Sequence, residues 1–391
     1  MRKWFNRLLT GILILVAVVT LLIIGLYAYL EINDINVSNP FTQGSGSVAD
    51  IRLPDGFEID LFAENVTGAR SLRLGDNGTL FIGSRAPGNL YAIPNATEID
   101  YAEEIIIVDS DLNSPNGVAF VDGDLYVTEI HRLLRYDDIE NNLDNAEYVV
   151  LRDDLPTERH HGARYLGYAP DGMLYIAIGA PCNVCDLTGV FGSILRVELD
   201  GSDYEVYTTG VRNSVGFDWH PETGELWFTN NGRDLMGDDI PPDTLHYAPE
   251  PDTHMGFPYC HAGDVSDPQF GEERACDEFT PPAYNLTPHG ASLGMRFYTG
   301  NSFPDEYTNQ IFIAEHGSWN RTVPIGYRIM LARLDGTDTV VSYEPFAEGW
   351  LNEETGEAWG RPVDVLVMPD GSLLVSDDAN HAIYRIRYTG N

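Results

Sequence analysis

From Ile51 onward, apolar residues come in short alternating runs, and each run is opened by a turn rich in Asp, Gly, Asn or Pro. The copies read "GDNGTLFIGS" from Gly75, "VDGDLYVTE" from Val121, "APDGMLYIAIG" from Ala169, "HPETGELWFTN" from His220, "TNQIFIAE" from Thr308 and "MPDGSLLVSDD" from Met368. Between them lie further short strand patterns such as "EIIIVDS", "HRLLRYDD", "SILRVELD", "RIMLARLD" and "AIYRIRY". Six such units predict an all-β fold, a six-bladed β-propeller with four strands per blade. A pair of packed sheets would not repeat one turn-strand signature six times. The widest gap lies between Leu226 and Ile311, so one blade should carry an insertion, roughly 233–292. Such insertions build the channel mouth, where the loops of all blades converge.

One stretch breaks the pattern. Leu8 to Leu30 is apolar and uncharged over about the length of a bilayer-spanning helix, so an N-terminal transmembrane helix is expected before the propeller. Arg2, Lys3 and Arg7 precede it, which predicts a cytoplasmic N-terminus and an extracytoplasmic domain. The region 1–30 is thus an anchor or a signal sequence; Ala28 alone offers a small residue for cleavage, favouring an anchor. The polar, Gly/Ser-centred 31–50 reads as a flexible linker and 51–391 as the propeller domain.

Charge narrows the partners. The formal net charge is −37, from 60 Asp and Glu against 23 Lys and Arg, which argues against nucleic acid and against docking on an anionic membrane surface. Lys3 is the only lysine, so the cations of the exported part are arginines and protonated histidines. The four cysteines are even in number and favour two disulfides, Cys182 with Cys185 and Cys260 with Cys276; a zinc site is the alternative. Asp186 stands where a C-x-x-C-H motif needs histidine, so covalent haem is excluded.

Candidate chemistry gathers just before blade strands. His160 and His161 enter one such strand; on an extended segment they point to opposite faces, so His160 is expected in the channel as a general base and His161 outside it, dispensable. Arg164 would share the face of His160 and could hold an anion. Arg212 and Asn213 precede another blade strand, and Arg361 a third, while Asn116 offers an amide before a fourth. An anionic, polar ligand at the channel mouth is the simplest common cause. The oxygen-rich loop "NNGRDLMGDD", with Asp243 just after it, suits calcium better than zinc.

Three of these segments, "HHGARYLGYAPDGMLYIAIG", "GVRNSVGFDWHPETGELWFT" and "GRPVDVLVMPDGSLLVSDD", resemble the glucose/sorbosone dehydrogenase family of six-bladed propellers, over about Ile51 to Tyr388. The segments "APCNVC", "HGSWNR" and "EPFAEGW" resemble its sorbosone-dehydrogenase-like branch. The resemblance implies pyrroloquinoline quinone (PQQ) and Ca²⁺ as cofactors and a sugar substrate. It implies His160 as the base taking the sugar hydroxyl proton, Arg212 stabilising developing charge on the quinone oxygen, and Asn213 and Arg361 binding cofactor. The backbone carbonyls of Gly232 and Arg233 would hold calcium, with Asp243 left from the family's acidic pair. The chain departs from the pattern at Arg159, where the glucose enzymes have an aspartate, and in lacking the cofactor-binding lysine, whose place His316 or Arg321 could take.

The expected activity is therefore an extracytoplasmic, membrane-anchored quinoprotein dehydrogenase acting on an aldose or related polyol or aldehyde. Its electrons would pass to a membrane quinone or a cytochrome. A calcium-dependent lactonase-type hydrolase and a non-catalytic propeller binding carbohydrate or protein are the alternatives.

Overall fold

The computed structural model describes residues 11–12, 15–16, 18–22, 44–86 and 88–390. Among these, no helix is long and apolar enough to cross a membrane; most of the predicted span 8–30 and most of the linker 31–50 lie outside the described residues.

Among the described residues six sheets form the ring, each with four antiparallel strands running from inner to outer and one extended by a fifth. Blade I comprises Ala69–Leu74, Leu80–Ser84, Leu90–Ile93 and Ile106–Asp109; blade II Gly117–Val121, Asp124–Thr128, Leu133–Tyr136 and Tyr148–Arg152. Blade III comprises Leu166–Tyr168, Leu174–Ile178, Ser193–Val197 and Tyr204–Thr209; blade IV Phe217–Trp219, Leu226–Asn230, Pro242–Ala248 and Tyr284–Pro288. Blade V comprises Ser292–Phe297, Ile311–Glu315, Arg328–Asp335 and Thr339–Glu348. Blade VI takes Pro362–Val367, Leu373–Asp377 and Ala382–Tyr388 from the end of the domain and its outer strand, Phe57–Ala63, from the beginning.

Packing follows from strand alternation. Along the fully buried Leu174–Ile178, Tyr175 and Ala177 join Phe217 and Trp219 of blade IV, whereas Leu174, Ile176 and Ile178 join Ala119 and Tyr126 of blade II. A mid-blade strand buried on both faces therefore reads as a continuous apolar run. Each large apolar side chain so buried contributes about 1.5–3 kcal/mol against chain entropy. Hydroxyl latches add register between neighbouring blades: Thr128 Oγ1 donates to Arg164 O at 2.7 Å, Thr229 Oγ1 to Leu293 O at 2.6 Å and Ser376 Oγ to Arg70 O at 2.7 Å.

The blade IV insertion is shorter than 233–292. The strands Pro242–Ala248 and Tyr284–Pro288 fall inside that span, leaving 249–283. Turn-rich sequence around both strands masked them. The insertion adds the short strand Thr253–His254 in parallel to blade III and a hairpin, Cys260–His261 with Val265–Ser266. Both expected disulfides are formed, Cys182–Cys185 and Cys260–Cys276.

Candidate active site

The inner strands all begin at one end of the ring, and the loops joining second to third strands open at that same end. Side chains just before an inner strand therefore converge on one mouth, whichever blade carries them.

His160 and His161 lie there, but not as extended backbone. His161 has φ +49°, a left-handed turn conformation, and its ring sits 4.1 Å from that of His160 between centroids. The expectation of opposite faces is therefore corrected: a turn, not a strand, carries the pair. His161 is half-buried and donates Nδ1–H to Ala180 O at 2.9 Å, which places its proton on Nδ1. Burial, then Arg212, push its pKa down to about 2, so it stays neutral. Neither ring nitrogen of the exposed His160 has a hydrogen-bond partner among the described residues. Its pKa is lowered by partial burial, then by Arg212 and Arg85, against Asp234.

Arg212 is buried and makes four hydrogen bonds. Its Nη2 pairs with Asp234 Oδ2 at 2.6 Å and reaches Asn183 Oδ1 at 2.9 Å, its Nε donates to Asn183 O at 2.9 Å, and Nη1 to Asn231 O at 3.3 Å. Asn183 also accepts from Asp234 N at 2.9 Å and donates Nδ2–H to Asp234 O at 3.0 Å. Asn213 is held by Asn230 Oδ1 at its N–H and donates Nδ2–H to Asn231 Oδ1 at 3.1 Å, while its Oδ1 is buried with no donor among the described residues.

Across the mouth stands a second cluster. His316 Nε2–H donates to Asp378 Oδ1 at 2.8 Å, and Arg70 Nη1 pairs with Asp378 Oδ2 at 2.9 Å. Burial and Arg361 bring the His316 pKa down to about 4, so its imidazole is neutral. Burial opposes ionisation of Asp378, yet His316 and Arg70 outweigh it and keep the carboxylate charged. Arg361 donates Nε–H to His316 O at 3.0 Å and Nη2–H to Gly317 O at 2.9 Å.

Other expected ligands serve the scaffold. Arg164 is buried and donates to Ile130 O, His161 O and Pro156 O, so it fastens the histidine turn and faces no ligand. Asn116, also buried, accepts from Arg70 Nε at 3.0 Å and donates to Arg164 O at 3.4 Å. Arg321 clasps the loop of blade IV at Asp238 O and Asp239 Oδ1. Asp243, fully buried, spends Oδ1 on Gly232 N at 2.9 Å and Oδ2 on Ser292 N at 3.0 Å; burial raises its pKa to about 7 despite those bonds. It pins the loop and leaves ligation to other atoms. The Arg233 guanidinium pairs with Asp267 of the insertion. Among the described residues no donor reaches the carbonyls of Gly232 or Arg233, although those of Asn231 and Asp234 are taken. No group of three or more His, Cys, Asp or Glu suited to a metal occurs among the described residues.

Arg70, Asp378 and Asn183 are the parts the sequence reading missed. A signal existed for the first: "GAR" recurs at 68–70, where an inner strand begins, and at 162–164, just before another.

A family model described as Glucose / Sorbosone dehydrogenase matches residues 122–385. A protein of Borreliella burgdorferi, named only as uncharacterised, is 32% identical over 352 residues, covering 86% of this chain and 91% of that one. A pyrroloquinoline quinone-dependent pyranose dehydrogenase of Coprinopsis cinerea is 31% identical over 123 residues, 27% of this chain and 16% of its own length. Among solved structures, the holo PQQ domain of the Coprinopsis cinerea pyranose dehydrogenase superposes with TM-score 0.75 at 18% identity, covering 90% of this chain and 98% of that one. The PQQ-bound aldose sugar dehydrogenase of Streptomyces coelicolor gives 0.61 at 17% identity, over 86% and 99%. At such identities the structural likeness establishes the fold.

Proposed function

The chain belongs to the glucose/sorbosone dehydrogenase family, and from that premise we propose that it is a sugar oxidoreductase dependent on PQQ and calcium, with the channel mouth as its active site. The observation that carries the reading is an imidazole without a partner, His160, standing in the field of Arg212 at the mouth.

The donor set fits the cofactor. PQQ is a planar polyanion with an N–H donor. The mouth supplies Arg70, Arg212 and Arg361 for its anionic groups and the donorless Asn213 Oδ1 for an N–H. The free carbonyls of Gly232 and Arg233 suit a hard cation such as Ca²⁺. Arg212 and Arg70 already hold Asp234 and Asp378, so they would share their charge with the cofactor. When bound, the quinone supplies a two-electron acceptor, which no side chain can be.

The chain's own residues do the rest. His160, neutral at pH 7, accepts the proton of the sugar hydroxyl at a free ring nitrogen as the carbon-bound hydride departs. Arg212 places a positive charge where negative charge develops, and Asn183 and Asp234 keep that guanidinium from turning away. His161 and Arg164 fix the turn beneath His160. The apolar run at 8–30 would tether the domain outside the cytoplasm, beside a membrane quinone or a cytochrome that reoxidises the cofactor.

The test is reconstitution. Purified protein given PQQ and calcium should develop a bound-quinone absorbance and reduce an artificial dye with an aldose. Absence of quinone uptake at micromolar cofactor overturns the reading.

A further inference from the structure

In so acidic a chain most arginines of the folded domain are ion-paired, as Arg52, Arg132, Arg196, Arg328 and Arg387 illustrate. Arg85 and Arg159 are not. Among the described residues Arg85 has neither hydrogen bond nor ion pair, and Arg159 has one long bond, Nη2 to Asn113 Oδ1 at 3.4 Å. Both are exposed, and both line one cavity of about 380 Å³ together with Asn113, Ser114, Ile130 and Gly162. That is large enough for a monosaccharide.

Among the described residues no free carboxylate lines the cavity. Glu129, behind it, is buried and consumed by Arg132 and the Asn113 N–H. Asp378, the acid acting on Arg85, is held by Arg70 and His316. The Ser114 hydroxyl has no partner among the described residues, and Ser114 is held in the left-handed region at φ +60°. Two guanidinium groups without an ion pair among the described residues, an amide and a hydroxyl thus line one space. Arg159 is the neighbour of His160 in the chain, and Arg85 is close enough to depress its pKa. The cavity therefore adjoins the proposed base. It is lined by loops of blades I and II and by the turn leading into blade III, near Arg70 of blade I, whereas the cofactor donors Arg212, Asn213 and Gly232 come from the loops of blade IV.

We propose that this cavity is an anion subsite for substrate: the sugar carries a carboxylate, as in a uronic acid, held between Arg85 and Arg159 while its reacting hydroxyl faces His160. The inference rests on the dehydrogenase reading for the reaction, but not for the binding. A carboxylate here gains two charge-assisted partners that a neutral sugar leaves unmatched.

The experiment titrates D-glucuronate and D-glucose into the protein by calorimetry, without and with PQQ and calcium, and compares KM values for dye reduction in the loaded protein. Glucuronate should bind about tenfold or more tightly than glucose, and Arg159→Gln or Arg85→Gln should weaken it about tenfold, for one lost charged hydrogen bond. Arg159→Glu should abolish the preference, and added salt should reduce it. Both side chains are exposed, so an unchanged thermal midpoint verifies folding of the variants. Equal affinity for the two sugars, indifference to the arginine variants, or displacement of glucuronate by PQQ overturns the subsite; the last result would give the arginines to the cofactor. Arginine-dependent glucuronate binding without quinone uptake keeps the subsite and discards the dehydrogenase. Dye reduction with neutral sugars and no preference for glucuronate does the reverse.

Discussion

Arg212 and Asp234 meet at 2.6 Å, and a single residue, Asn183, is hydrogen-bonded to both. Asn183 sits in the turn closed by Cys182–Cys185. The disulfide loop of blade III thereby acts on the loop of blade IV through the guanidinium between them.

Asn183→Ala removes three side-chain hydrogen bonds, to Arg212 Nη2, Asp234 N and Asp234 O. Urea unfolding should show a loss of about 1–3 kcal/mol. Quinone titration should show weaker uptake, because Arg212 is no longer fixed. Unchanged values in both would mean that Asn183 positions nothing.

His160→Ala should lower dye reduction by roughly 10²–10⁴-fold, the usual worth of a general base, while leaving quinone absorbance on titration close to wild type. As the proposed base, His160 has to be neutral for kcat/KM in the wild type. Since its pKa lies below 6.5, the rate should hold from pH 8 to about 6.5 and fall in more acid solution. A fall beginning above pH 7 would contradict the assigned base.

At Gly232 a Cβ would stand 2.8 Å from Pro242 O and 3.2 Å from the Pro241 ring. Gly232→Ala should displace the carbonyls assigned to calcium. Calcium should raise the thermal midpoint of the quinone-loaded wild type by mass action, and chelation should reverse the gain. The variant should lose the calcium response yet keep the same far-ultraviolet circular dichroism.

His246 is buried, stacks on Phe228 at 5.1 Å, and has its pKa pushed down to about 3 by burial. Its unfolded value is near 6.5, so between those pH values the unfolded chain binds a proton that the native chain refuses. The stability it contributes is complete above about pH 6.5 and is lost as pH falls toward 3. His246→Phe keeps the stack and removes the titration; its thermal midpoint should decline less than that of the wild type between pH 7 and 5.

Six blades were legible because the turn and strand that open each one lie side by side in the sequence, as in "PDGMLYIAIG" and "PDGSLLVSDD". The pairing of Phe57–Ala63 with Ala382–Tyr388 was not, since nothing local couples segments at opposite ends of the domain. Site residues divided in the same way. Arg212, Asn213 and Arg361 stand before inner strands, as the sequence suggested. Arg70 and Arg164 share the context "GAR", yet Arg70 turns to Asp378 in the mouth and Arg164 to three carbonyls in the wall. Which way a guanidinium turns depends on the loops opposite it, and those belong to other blades. The left-handed φ of His161 was likewise invisible, because a non-glycine residue carries no signal for it.

The sharing of blade VI between the two ends of the domain sets an order of assembly. Synthesis delivers Phe57–Ala63 first and its partner strand Ala382–Tyr388 last, so the ring stays an open arc until nearly the whole domain has left the ribosome. Arg361 and Asp378 arrive with that final blade. Until then Arg70 and His316 lack their common carboxylate. The mouth is consequently the last part of the domain to be completed, and the proposed cofactor, which would touch both of its sides, would be captured after translation rather than serve as a template for folding.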